Sequence, residues 1–104
     1  MYQHGWSDYQ KGVHVKSLSP DGKDISIIYN GLLDRSGASQ VYLHCGFGDP
    51  MNWQVVDDYR MQRTPEGWKK TLNVENDQIT FCFHDAAGNW DNNSGYNWTY
   101  RAGY

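Results

Sequence analysis

The chain has 104 residues and a formal net charge of −3, which makes it one domain with a modest core and no room for a second. Charges of both signs are scattered, with no basic stripe to neutralise a phosphate backbone and no apolar run near the ~20 residues of a membrane span, so neither nucleic acid nor a bilayer is an expected partner. Five Trp and eight Tyr exceed what one small core needs, and a composition rich in Gly, Asn and Asp but sparse in Ala, Glu and Leu argues against a helical protein.

Residues 1–11 carry no clear pattern and are expected to be a tail, or a segment that docks on the body through Trp6 and Tyr9. Met1 to Trp6 show neither the basic nor the apolar region of a signal peptide. A complete natural chain would therefore stay in the cytoplasm, and one excised from a larger secreted protein would not.

From residue 12 to 104 the pattern is that of one β domain, with a period of 2. Val13 to Lys16 alternates, Asp24 to Tyr29 alternates as far as Ile28, and Gln40 to Gly46 alternates throughout. Tyr59 to Arg63 and Trp68 to Val74 read as a hairpin, Ile79 to His84 as the strongest strand, and Tyr96 to Tyr100 as the last. Ser19-Pro20-Asp21-Gly22 and Thr64-Pro65-Glu66-Gly67 place Pro second and Gly fourth, which suits a type I turn, and Asn76-Asp77 joins the next pair. Short strands with such turn spacing predict an all-β, antiparallel, immunoglobulin-like β-sandwich with no helix beyond about two turns. Cys45 falls in phase with Val41 and Leu43 on the apolar face, and Cys82 with Thr80 and His84 on the polar face. Opposite phases predict two unpaired thiols, in keeping with a reducing compartment.

The chemistry concentrates after the strongest strand, where Asp85-Ala86-Ala87-Gly88-Asn89-Trp90-Asp91-Asn92-Asn93 sets a tryptophan in a loop of turn-forming residues. Such a loop lies on the surface. An exposed Trp90 ringed by amides suits a sugar, with its apolar C–H face and rim of hydroxyls; the competing reading folds Trp90 back as a plug for one end of the sandwich. Trp53 occupies a second Gly/Pro/Asn loop and is either a second stacking face or a core aromatic at the start of the next strand. Trp68 and Trp98 lie within strand patterns and are assigned to packing, while Trp6 is unplaced. His44, on the polar face of its strand, can both stack and hydrogen-bond.

Other chemistries find little support. His84 and Cys82 share a face, but two ligands do not make a metal site, and His4 and His14 lack tight spacing. Asp85, Asn89, Asp91, Asn92 and Asn93 are calcium-ligand types without the EF-hand order. Glycosidase chemistry needs two opposed carboxylates. Asp57 and Asp58 point opposite ways if extended, and turn-building accounts for Asp85 and Asp91. No nucleophile-elbow, Walker or zincin motif is present. No catalytic residue, metal or cofactor is therefore expected.

Val41-Tyr42-Leu43-His44-Cys45-Gly46-Phe47-Gly48, then Asn52-Trp53, Gly67-Trp68, Ile79 to Asp85 and Gly88-Asn89-Trp90-Asp91-Asn92-Asn93 together resemble the starch-binding carbohydrate-binding modules of family 25 and its relatives, families 26 and 53. The resemblance spans about residues 20–100. It implies a β-sandwich that binds α-1,4-glucan (starch, glycogen or maltooligosaccharides) without cleaving it. It also implies that His44, Trp53 and Trp90 form the stacking platform and that Asn92 and Asn93 bond sugar hydroxyls. Such modules accompany glucan-metabolising enzymes, so one is a candidate partner. Cys45 stands beside the histidine where these modules often have another residue. A rival reading from the residues alone is a cytoplasmic protein-interaction module that uses the same exposed aromatics.

Overall fold

Alternation at every second residue builds two facing sheets. The computed structural model describes residues 5–47, 55–74 and 78–102. The first sheet contains β1 (Trp6–Asp8), β2 (Val13–Ser17), β3 (Asp24–Tyr29), β6 (Gln62–Thr64) and β7 (Gly67–Asn73), in the order β1-β2-β3-β7-β6. The second contains β4 (Val41–Phe47), β5 (Val55–Arg60), β8 (Gln78–Asp85) and β10 (Trp98–Arg101), in the order β10-β8-β4-β5, with the short β9 (Trp90–Asp91) alongside β8. Every pairing among these strands is antiparallel. One turn of helix, α1 (Leu32–Arg35), and a 3-10 turn at Asn93–Gly95 are the helical elements among the described residues. The molecule is a small antiparallel β-sandwich.

The core is what the alternation selects. Ile25, Ile27 and Tyr29 of β3, Val41, Leu43 and Cys45 of β4, and Ile79, Phe81 and Phe83 of β8 are all 0% exposed. Tyr29 and Phe83 stack at 4.1 Å between ring centroids, joining the sheets through the middle. The opposite phase of β3 and β8 is covered as well: Ser26, Ile28, Thr80 and Cys82 are buried. The hydroxyls there satisfy one another, Ser26 with Thr71 at 2.9 Å and Thr80 with Thr99 at 3.3 Å. Paired hydroxyls remove the desolvation cost that each would carry alone.

The strand register sets Cys45 opposite Phe81 and Cys82 opposite His44, and both thiols are free. Burial, reinforced by nearby carboxylates, pushes each thiol up to about 12. Thiolate is the reactive form, so both should resist labelling in the native protein. The expected result is negligible modification by a thiol reagent at neutral pH and two equivalents on denaturation without reductant. Rapid native labelling, or no thiols after unfolding, would contradict this arrangement.

Two expectations need correction. Tyr59 to Arg63 is not one strand. β5 belongs to the second sheet and pairs with β4, whereas β6 belongs to the first and pairs with β7. The chain changes sheets at Met61, which is buried, with its N–H donating to Val41 O at 3.0 Å and its carbonyl accepting from Gln40 Nε2 at 2.8 Å. The long-range pairing of Val41 with Met61 overrides the local alternation. Likewise β7 and β8 do not pair but lie in opposite sheets; Asn76-Asp77 between them falls outside the described residues. Trp6, unplaced by sequence, sits on β1 with its ring stacked at 6.2 Å and 11° to Phe81. Trp98 Nε1 donates to Asp8 Oδ2 at 3.3 Å, tying β10 to β1.

Candidate functional site

The loop that leaves β8 is built by Asp85. Its Oδ1 accepts the N–H groups of Ala87 at 3.0 Å and Asn89 at 2.8 Å, and its Oδ2 accepts Asn89 Nδ2 at 2.9 Å. Those Asn89 bonds, side chain first, hold the Asp85 carboxyl below the usual range. This is the turn-building role expected of it. The turn returns the chain to β8 as β9, with Trp90 opposite His84 and Asp91 opposite Phe83.

Alternation within β9 then separates its two side chains. Trp90 is 49% exposed, so it does not plug the sandwich. Asp91 is buried, contrary to a simple loop-building role: its Oδ2 accepts the Tyr29 hydroxyl at 2.6 Å, and that hydroxyl accepts the Leu33 N–H at 2.9 Å. Desolvation first, then the Asp91 bond, push the Tyr29 phenol far up from its ordinary value. One buried relay thus fixes β3, α1 and β9 together, directly beneath Trp90.

On the outer face of the second sheet the register assembles an aromatic surface. His84 lies 4.4 Å from Trp90 between centroids at 35°, and Tyr42 stacks on its other flank at 5.0 Å and 14°. His44 meets Trp90 edge-on at 5.2 Å and 87°. Asp58 on β5 orients both imidazoles: its Oδ1 lies 2.9 Å from His44 Nδ1 and 2.8 Å from His84 Nε2. Desolvation raises the Asp58 carboxyl, but the bonds from His84 and His44 outweigh it and hold the group below the usual range. An ionised carboxylate only accepts, so His44 Nδ1 and His84 Nε2 each donate to it, and His84 Nδ1 lies 3.3 Å from the Asp85 carbonyl oxygen. The rings are thereby fixed as a surface with apolar faces and polar edges.

Of the residues expected from sequence, His44 and Trp90 are brought into contact. Trp53 lies outside the described residues. Asn92 and Asn93 shape the turn after β9: Asn92 Oδ1 accepts Gly95 N–H at 3.0 Å, and Asn93 Nδ2 donates to Asn97 O at 2.9 Å. Asn92 is exposed beside Trp90 in a groove; Asn93 is half-buried. Trp68 and Trp98 are buried, as their strand positions require. Tyr42, Asp58 and His84 are additions. The signal for Tyr42 and His84 was their polar-phase position on the two central strands, but only the β5-β4-β8 register joins them to Asp58. Clefts of about 520 and 430 Å³ flank Trp90, sharing Leu32 of α1 as a common wall. Among the described residues no group of three or more His, Cys, Asp or Glu side chains is placed to hold a metal ion.

A family profile, starch/carbohydrate-binding module (family 53), matches residues 25–83. That span runs from β3 into β8 and includes Tyr42, His44 and Asp58 of the aromatic surface, while His84 and Trp90 lie beyond it. Neither the curated proteins nor the solved structures contain a match.

Proposed function

The chain belongs to starch/carbohydrate-binding module family 53, and from that premise we propose that it binds α-1,4-glucan without cleaving it, through a platform centred on Trp90 and His44. The half-exposed Trp90, in contact with both His44 and His84 over a buried anchor, carries this reading. A pyranose stacks on the indole while imidazole edges meet its hydroxyls. The family 25 pattern assigns Trp53 a second stacking face and Asn92 and Asn93 a hydrogen-bonding role. Asp58 is engaged by two imidazoles rather than opposed to a second carboxylate, which favours binding over hydrolysis. Aromatics from separate elements make a bent platform, and a bent platform follows a curved α-1,4 chain better than a flat β-1,4 ribbon. A glucan-metabolising enzyme is the partner that such a module would serve.

Covering ~60 Å² of an indole face contributes about 1.5 kcal/mol at ~25 cal/mol per Å². With the imidazole and a few hydrogen bonds, less the ordering of the sugar, dissociation constants of roughly tens of micromolar to millimolar follow. Calorimetric titration with maltoheptaose beside cellohexaose tests the reading. Maltoheptaose should bind and cellohexaose should not. Trp90→Ala should weaken binding more than about tenfold while costing about 1 kcal/mol of stability or less. A protein-interaction domain would ignore both sugars, and reducing-sugar release from amylose would indicate a hydrolase.

A further inference from the structure

We propose that the groove on the α1 side of Trp90 receives an anionic substituent of the bound glucan, a phosphate monoester, through Lys11 and Arg35. This rests on Trp90 being the glucan-stacking residue. The groove, about 430 Å³, is lined by Lys11, Leu32, Arg35, Trp90, Asp91 and Asn92 among others. It therefore opens directly from the stacking face.

The two cations come from separate segments that are locked together. Lys11 lies in the turn between β1 and β2, and Arg35 ends α1. A Cβ on Gly31 would stand 2.2 Å from Lys11 O, and one on Gly12 would stand 2.6 Å from Asn30 Oδ1. Only glycine permits so close an approach. Asn30 N–H also donates to Gly12 O at 2.8 Å. The Lys11 turn and the start of α1 are thus one rigid unit.

Both residues are exposed, and neither cation is held in an ion pair among the described residues. The nearby acids are engaged elsewhere. Asp8 accepts Lys11 N–H on Oδ1 and Trp98 Nε1 on Oδ2. Asp34 accepts Trp68 Nε1 at 3.1 Å and faces Arg63 at 4.0 Å. Asp91 is turned inward to Tyr29. A chain of net charge −3 therefore holds two cations with no ion-pair partner among the described residues beside its stacking tryptophan. A guanidinium fork and an ammonium point charge suit the three oxygens and near-double charge of a phosphate monoester.

Calorimetry with maltoheptaose and with maltooligosaccharides phosphorylated at a primary hydroxyl tests this, with inorganic phosphate and glucose phosphate as separate arms. Exposed ion pairs are individually weak, so the phosphorylated chain should bind about three- to tenfold tighter at low salt, and the gain should fade at high salt. Lys11→Gln with Arg35→Gln should erase the gain, leave maltoheptaose affinity unchanged and keep the melting temperature. Equal affinity for both oligosaccharides overturns the proposal and leaves the glucan reading standing. Binding of neither overturns both. If inorganic phosphate or glucose phosphate binds as tightly as the phosphorylated oligosaccharide, the groove reads free phosphate and the glucan substituent is wrong.

Discussion

Trp68→Ala is expected to cost about 3–5 kcal/mol of stability, the usual range for truncating a core tryptophan. Trp68 is 3% exposed and pairs in register with Tyr29 of the neighbouring strand. Its Nε1 donates to Asp34, and the Arg63 guanidinium lies 5.2 Å from its ring centroid. Removing the ring opens a cavity, leaves Asp34 without its donor and ends a cation–π contact. A small domain holds only about 5–15 kcal/mol in all, so the variant should be marginal. Trp68→Phe keeps most of the volume and loses the hydrogen bond, and should cost about 1–2 kcal/mol. Chemical denaturation measures both. Any folded fraction should bind maltoheptaose as the parent does. A stable Trp68→Ala protein that has lost sugar binding would make Trp68, not Trp90, the stacking residue.

Tyr29→Phe removes a single oxygen and should still cost about 3 kcal/mol. Two groups lose their partner: the Asp91 carboxylate loses its donor and the Leu33 N–H its acceptor. Breaking one side of a buried polar pair is worse than removing both, because the survivor keeps its desolvation cost. A cycle of Tyr29→Phe, Asp91→Ala and the double variant should therefore show strong coupling, the double costing well under the sum. Maltoheptaose binding should weaken as well, since the same relay pins β9 beneath Trp90. A Tyr29→Phe variant within about 0.5 kcal/mol of the parent would show that the relay contributes little.

The sandwich was readable because β2, β3, β4, β7, β8 and β10 each have enough residues for a period of 2 to show. Some missed elements have too few residues for any period, β9 two and α1 four, the latter with no side-chain cap at Gly31, while the start of β5, Val55-Val56-Asp57-Asp58, does not alternate. The strand around Tyr59 was read as continuous because the sheet change at Met61 is imposed by Val41, distant in sequence. The site divides the same way. Trp90 announced itself through loop chemistry and His44 through its phase and the family resemblance. Asp58 and His84 did not, because a carboxylate bridging two imidazoles exists only once three strands are in register. Asp91 was read as a turn residue because nothing local shows Tyr29 waiting in the opposite sheet.

The Met61 crossover sets where the chain can change length. A β-strand that shifts by one residue turns its core face outward. Because β5 and β6 lie in different sheets and meet at Met61, held there by Val41 and Gln40, an insertion or deletion between Arg60 and Gln62 throws one sheet or the other out of phase. The exposed Ala86–Gly88 turn is held by local bonds to Asp85 and joins two strands of one sheet, so it does not couple the sheets. Length variation among related chains should accordingly collect near the turn that leads into Trp90 and be absent from the corner at Met61, so that the binding edge can be remodelled while the two sheets stay locked in step.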